Sequence, residues 1–477
     1  MRAPTGIVCV LGTLVLLGPV RGADLAPEAR QVQYAYSDLF RRLPGSAKSA
    51  LNAWLAKWPS LKPAEREAVV HVLERLVYLP SETIGSALQG VGEAGRRDAL
   101  LALSKDDRVF EDEPPRAMVV VAGIGAPAPV TVGADRERAL PRTWGHVRRE
   151  GLLVANVTTG PRARTHPRWA ASLLCGQAVP AEIKGRPQAP TLLELVRKAR
   201  GLAETDVWLV TTGPAFERAA YSTAPGYGRE TGALLVSASL FTEVAHRRRR
   251  YIEQEVEQGT KRAVAEHRAR RLGAEALGID TVYPDPAVCS FVWDRMWREY
   301  GVGTWNTFVY ITSLRAIRAY RPHVIVTCFG EPAYEHAVPL PKPNRSDARD
   351  AADYERNVHV WQARMAQRKR DLPQRRREAV TNLDVYIDYL YREFRRNPWY
   401  GPRGMFILVL GDPGLDAIDV IVVSPQTPRN GLTRARHLLA QVAPTVAQFM
   451  RVAVPEGTAT PIPGAFVRPT SGPAVRP

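Results

Sequence analysis

Apolar residues recur at helical spacing through the first part of this chain, then give way to short unbroken apolar runs. From Ala26 to about Ser104 the spacing is helical. One predicted helix carries Tyr34, Tyr36, Leu39 and Phe40, and the next carries Leu51, Trp54, Leu55 and Trp58. A third starts near Pro63 with Glu65 and Glu67 in its first turn, and sets Val69, Val70, Val72, Leu73, Leu76 and Val77 on one broad face. Early proline and first-turn acids mark a helix start, because the first N–H groups lack partners and the helix dipole favours negative charge there. Ser81 stands where a cap for a fourth short helix is expected.

From Ala117 the period changes. Met118-Val119-Val120-Val121-Ala122, Leu152 to Val157, Val207 to Val210, His323 to Thr327, Met405 to Leu410 and Asp419 to Val423 are apolar, β-branched runs without alternation. Such runs suit strands buried on both faces. Ala233-Leu234-Leu235-Val236 reads as a strand or as the start of a buried helix. Helical segments lie between several of the runs, so the expected fold class is α/β, with a largely parallel, Rossmann-like sheet. Thr242 to about Leu277 reads as an exposed charged helix kinked near Gly259. Asp350 to about Arg396 reads as a charged helical pair broken at Pro373. The expected organisation is a helical module at 23–105, an acidic linker at 106–116 containing Pro114-Pro115, and an α/β domain at 117–454. That domain carries a charged helical insertion at 347–398, and the Pro-, Gly-, Thr- and Ala-rich tail at 455–477 is expected to be disordered.

The opening residues place the protein. Arg2, the apolar stretches Ile7 to Leu11 and Leu14 to Leu17, Gly18-Pro19, then Val20 and Gly22 follow the order of a secretory signal peptide cleaved before Ala23. Residues 1–22 are therefore expected to be removed, and the product to be secreted or periplasmic. No later segment is long and apolar enough for a transmembrane helix. The formal charge of +17 comes from arginine more than lysine and favours anionic surfaces. In an exported protein the expected partner is a glycan or another anionic envelope component, and nucleic acid is not expected. Cys175, Cys289 and Cys328 remain after cleavage, which suits one bridge with a free thiol or three buried thiols. Asn156 and Asn344 stand in Asn-x-Ser/Thr sequons. Asn156 falls in a predicted buried strand, where glycosylation is not expected.

Ligands in open α/β sheets bind beyond the carboxyl ends of the strands. That rule selects Thr158 to His166, Thr211 to Gly213, Thr327 to His336, and Asp412; Thr211, Gly213, Glu331 and Asp412 are the candidate substrate-binding residues. No GxGxxG, GxxxxGK, GxSxG or HExxH motif stands at any strand end, which disfavours the common nucleotide-binding loops and the usual hydrolase elbow. Trp293 and Trp297 at i, i+4 spacing, with Trp305, form the main aromatic cluster and point to core packing before sugar stacking.

An ordered set of fragments over roughly residues 150 to 340 resembles the PIG-L/LmbE-like zinc de-N-acetylases. The fragments are His166-Pro167 before Cys175-Gly176, Val207 through Gly213, Glu266-His267-Arg268 through Leu277-Gly278-Ile279, the stretch Ile317 to Thr327, and Glu335-His336. The resemblance implies a Zn²⁺ site using His166 and His336, and amide or ester hydrolysis on a glycan-like substrate. The sequence departs from the family where two acids should follow His-Pro: Arg168 and Trp169 stand there. Arginine does not ligate zinc, and a water-activating site needs three protein ligands and a base. The resemblance thus implies either a site completed by Glu331, Glu335 or Asp412, or an inactive relative that binds the ligand. The alternative expectation is a non-catalytic secreted or cell-envelope interaction protein, using the helical module and the charged insertion; a polyanion binder is the third.

Overall fold

The structure of the protein is a computed structural model that describes residues 25–106, 114–123, 136–159, 166–178, 182–183, 186–238, 250–271, 305–330, 343, 345, 348, 350–412 and 415–466. The chain divides into two compact units, Met1–Glu113 with Asn397–Trp399, and the remainder. Outside the described residues lie the expected signal peptide, Glu331, His336, Cys289, Trp293, Trp297 and Asn344.

The first unit is helical: α1 Pro27–Ala35, α2 Ser37–Arg42, α3 Gly45–Ala56, α4 Pro63–Leu76, α5 Ser81–Ala87 and α6 Arg96–Lys105. Its core joins Leu51, Trp54 and Leu55 of α3 to Val69, Val72, Leu73 and Leu76 of α4, with Ile84 and Leu100. The predicted face of α4 is the buried one. Its start is closed by Glu65, which accepts from the Lys62 N–H at 2.9 Å. Its end is closed from another helix, because Arg42 donates to the carbonyls of Leu76 at 3.0 Å and Leu79 at 2.6 Å. Ser81 does not cap α5; its hydroxyl donates to the Arg42 carbonyl at 2.8 Å.

The second unit is an α/β body. Its strands are β1 Ala117–Ala122, β2 Leu152–Thr158, β3 Glu182–Ile183, β4 Arg186–Pro187, β5 Val207–Thr211, β6 Leu234–Ser237, β7 Val324–Cys328, β8 Met405–Leu410, β9 Ala417–Val423, β10 Gly431–Thr433 and β11 His437–Leu438. The helices used below are α7 His166–Cys175, α8 Leu192–Arg200, α9 Arg262–Arg271, α10 Trp305–Arg315, α11 Ala351–Arg396 and α12 Val442–Phe449. The main sheet runs β10-β2-β9-β8-β1-β7-β5-β6, with β11 also on β2; β3 and β4 pair separately. Within the main sheet only β9 is antiparallel to its neighbours, β8 and β2. The expected α/β class with a largely parallel sheet is what forms. β1 and β8 are buried along their whole length, which is why their sequences are apolar without alternation. The ambiguous run at 233–236 resolves as strand β6.

Several expectations need correction. No break occurs at Pro373: α11 is continuous from Ala351 to Arg396. The carbonyl that Pro373 leaves without an N–H belongs to Lys369, and both residues are exposed, so water can take the place of the missing donor. Later in α11, Val380, Leu383, Ile387, Leu390, Tyr391 and Phe394 are buried, so that stretch is a core helix despite its charge. Residues 455–466 of the expected disordered tail pack against the body. Ile462 and Ala465 are buried, Ile462 N–H donates to Thr445 Oγ1 at 2.9 Å, and the Ala465 carbonyl accepts from Thr427 at 3.0 Å. Asn156 is exposed, not buried, because β2 carries a register shift between Val154 and Val157 where Asn156 takes φ 60°. The expected kink at Gly259 is a full interruption: φ is +90° there, and α9 starts only at Arg262.

Asp384 shows how α11 is held. It is buried and accepts from the N–H groups of Arg142 at 3.0 Å and Thr143 at 2.9 Å, and from the Thr143 hydroxyl at 2.8 Å. It therefore caps the short helix Pro141–Thr143 from a distant part of the chain. Replacing Asp384 by alanine should cost about 2–4 kcal/mol in urea unfolding, since two main-chain N–H groups lose their acceptor. A loss below about 0.5 kcal/mol would show that water replaces the carboxylate.

Candidate functional site

The parallel strands β8, β1, β7 and β5 lie side by side and all end on one edge of the sheet. Backbone bonds prolong the ladder past the strand ends: Phe329 N–H donates to Val121 O at 2.8 Å, Gly411 N–H to Ala122 O at 3.0 Å, and Thr212 N–H to Cys328 O at 3.3 Å. The chain then turns sharply. Gly123 takes φ +90° after β1. Gly411 must be glycine for a steric reason, since a Cβ there would come within 2.2 Å of Ile418 Cγ2. That close approach lets the chain double back from β8 into β9, and it delivers Asp412, half-buried, to the edge.

Thr211 is 1% exposed; its Oγ1 lies 3.3 Å from the Gly213 N–H, which donates to it. The two candidates therefore form one local turn at the end of β5. Asp412 follows β8, three strands away. At about 4.8 Å per strand the separation is roughly 14 Å. Asp412 and the Thr211 turn do not meet on one small group; a ligand touching both must be extended along the edge.

An aromatic wall that sequence reasoning missed stands at the same edge. Phe329, just past β7 and fully buried, lies 6.2 Å from the ring of Tyr386, which stacks on Tyr310 at 4.8 Å with planes 15° apart; only the two tyrosines are partly exposed. The hydroxyls of Thr307 and Tyr386 are 2.8 Å apart. Tyr310 is held neutral: burial, with weaker effects from its neighbours, pushes its phenol up to about 12. The available signal was Tyr386 and Tyr389 at i, i+3 spacing, lost to view in a strongly charged helix.

Other reactive groups of the edge are engaged. Ser237, at the end of β6, is buried and donates to the Glu217 carboxylate. Cys328 is fully buried at the end of β7, and burial pushes its thiol well up, away from nucleophilic thiolate chemistry. Cys175 is likewise buried and raised, first by burial and then by Glu194; both thiols are free. Among the described residues, no three His, Cys, Asp or Glu side chains come together as a metal group. Glu331 and His336 lie outside the described residues, and His166 begins α7.

The de-N-acetylase resemblance does not survive. Residues 150–340 do not make a continuous sheet: between β2, the strand before His166, and β7 lie β9, β8 and β1, all from outside that stretch. Trp169, where the family has an acid, is fully buried and packs edge-on against Phe216 with ring centres 5.8 Å apart. It is a core residue of α7 beside Ala170, Leu173 and Leu174.

No family model matches the chain, and no curated protein matches it. Similar solved structures include the phosphonate monoester hydrolase SpPMH from Silicibacter pomeroyi, at 13% identity and a TM-score of 0.39, covering 73% of this chain and 75% of that one. The PsFucS1 sulfatase from Pseudoalteromonas sp. has 12% identity and a TM-score of 0.37, covering 78% and 71%. The lipoteichoic acid synthase LtaP from Listeria monocytogenes has 11% identity and a TM-score of 0.34, covering 72% and 74%. None of these is a de-N-acetylase.

Proposed function

We propose that this protein acts outside the cytoplasm as a hydrolase on an extended, anionic, glycan-like ester taken along the carboxyl edge of its sheet. The observation that carries this reading is the placement of Asp412 on the edge where buried Phe329 follows β7 and the partly exposed rings of Tyr386 and Tyr310 stack beside it. A carboxylate accepts hydrogen bonds from sugar hydroxyls or from an attacking water, and an aromatic face offers a sugar ring an apolar surface. The edge is wide enough for an extended ligand, and the basic chain attracts an anionic one. Among the described residues the donors do not fit a zinc site, so no step of this reading runs through a metal.

The interaction-protein alternative calls for an exposed apolar face on the helical module. Among the described residues the exposed large apolar side chains, Val264, Tyr320, Val360, Leu432, Leu438 and Val454, lie outside it. Among the described residues no helix is long and apolar enough to cross a membrane.

The test is turnover by the purified chain on oligosaccharides bearing acyl, sulfate or phosphate esters, with Asp412→Asn as the variant. The expected result is release of one acid class, slowed about 10²-fold or more in the variant at unchanged Tm. Absence of both turnover and saturable binding for every class would remove the proposal.

A further inference from the structure

The carboxyl edge continues outward along one helix. α11 runs against the strands: its Tyr386 lies beside Phe329, past the end of β7, and its Phe394 lies 5.4 Å from Phe406, at the start of β8. The residues of α11 before Tyr386 therefore lead away from the edge. Among the described residues from Ala351 to Ala379 none is buried, and the core begins at Val380. At about 1.5 Å per residue of continuous helix, Arg377 stands about 14 Å and Arg364 about 33 Å along the axis from Tyr386.

This outlying stretch is strongly basic. Residues 364–377 hold seven arginine or lysine residues and one acid, Asp371. Six of the seven stand in two triplets, Arg368-Lys369-Arg370 and Arg375-Arg376-Arg377, seven residues apart. Seven residues are close to two whole turns, so matching members of the triplets share a face about 10.5 Å apart. Tyr354, Val358, Trp361 and Met365, at 4-3-4 spacing, are partly buried and mark one side of the helix. Arg370 and Arg377 stand well round from that stripe. Arg364, Lys369, Arg370 and Arg377 are exposed, and among the described residues none of these four side chains makes a hydrogen bond or an ion pair. Glu378, next along the chain, is engaged by Gln374, which donates to it at 2.9 Å.

We infer that the outlying part of α11, from Arg364 to Arg377, is a binding surface for a linear sulfated polysaccharide. A row of sulfate groups is the partner that close cations favour, since charge-assisted hydrogen bonds take the place of repulsion between neighbours. The spacing of about 10.5 Å between the triplets is close to the disaccharide period of an extended polysaccharide. Nucleic acid fits less well. Single strands are held by aromatic side chains set among the basic ones, and residues 364–377 include no aromatic residue. The surface deepens the hydrolase reading by giving a polymer a second hold beyond the Asp412 edge, and rests on that reading for the ligand's being a glycan.

The experiment is calorimetric titration of the full chain with a heparin-derived dodecasaccharide at two salt concentrations. Three double variants accompany it: Arg370→Gln with Arg377→Gln, Arg370→Lys with Arg377→Lys, and, away from α11, Arg434→Gln with Arg436→Gln. All four positions are exposed, so each variant should fold. The expected result is saturable binding that weakens about tenfold or more in the α11 glutamine variant, with a salt slope smaller by about two. The lysine variant and the Arg434 and Arg436 variant should keep the affinity of the natural chain within about twofold. Equal weakening in the two glutamine variants would assign the binding to net charge and overturn the inference. So would the absence of saturable binding, or tighter binding of a single-stranded DNA of equal charge. A chain that binds through α11 but releases no acid keeps this surface and loses the hydrolase reading. One that turns over short esters, with binding unchanged in the α11 glutamine variant, loses this surface alone.

Discussion

Replacing Glu194 by alanine is expected to destabilise the α/β unit by about 3–5 kcal/mol, the cost of leaving several buried donors without a partner. Glu194 is completely buried near the start of α8. One oxygen accepts from the Thr191 N–H at 2.8 Å and the Thr191 hydroxyl at 3.1 Å. The other accepts from the N–H groups of Ser222 at 3.0 Å and Gly228 at 2.9 Å. The Thr191 hydroxyl in turn accepts from the Glu194 N–H at 3.3 Å, closing a capping box. The sequence shows only that local box. Tertiary structure makes the same carboxylate the acceptor for a loop some thirty residues on, at 222–228. Urea unfolding of Glu194→Ala and Glu194→Gln measures both parts. The amide should recover part of the loss, because it retains an acceptor oxygen. If alanine cost less than about 1 kcal/mol, water would have to reach these N–H groups and the carboxylate would not organise the loop.

The second large effect is a loss of stability on acidification through His323. Its folded value is lowered from the ordinary 6.5 to about 4, by burial first and by Arg116 next. Its Nδ1 is buried without a hydrogen-bond partner among the described residues. In the unfolded chain the imidazole takes up a proton near 6.5. Between that value and 4 the unfolded state binds more protons than the folded state, so stability falls as the pH falls. The stabilisation is present above 6.5 and is lost on descending to about 4. The size is roughly 2–3 kcal/mol after allowing for the part of the ring that solvent reaches. Urea unfolding at pH 7.5 and pH 4.5, on the natural chain and on His323→Gln, isolates this group from the carboxylates, which titrate in both. The variant should lose less stability between the two conditions. Equal losses would show that His323 titrates normally in the folded protein.

Some of this molecule was legible before any coordinates. The strand ends at Thr211 and Leu410, and the buried face of α4 from Val69 to Leu76, were readable from local pattern. Asp412 was found by a topological rule about strand ends, not by a motif. The aromatic wall was not legible, because Phe329, Tyr310 and Tyr386 come from three segments that only the sheet order and α11 bring together. The break at Pro373 was over-read: a proline's missing bond is costly where the freed carbonyl is buried, and here it is exposed. The de-N-acetylase likeness misled for a related reason. Its fragments occur in the right order along the chain, but order in sequence is not adjacency in a sheet.

Local chemistry determined the α/β class, because burying a strand on both faces demands an unbroken apolar run, and such runs are visible in one dimension. It also determined the helical module and the strongly basic composition, whereas the kink expected at Gly259 proved to be a full interruption. Tertiary structure alone decided that β1 and β8 sit between β7 and β9, since strand order depends on which apolar faces close together and not on the faces themselves. It alone decided that Trp169 is core where an acid was sought, and that Phe329, Tyr386 and Tyr310 come together. Charge and hydrophobicity are properties of a residue; proximity is a property of the fold, and the candidate site of this protein is made of proximity.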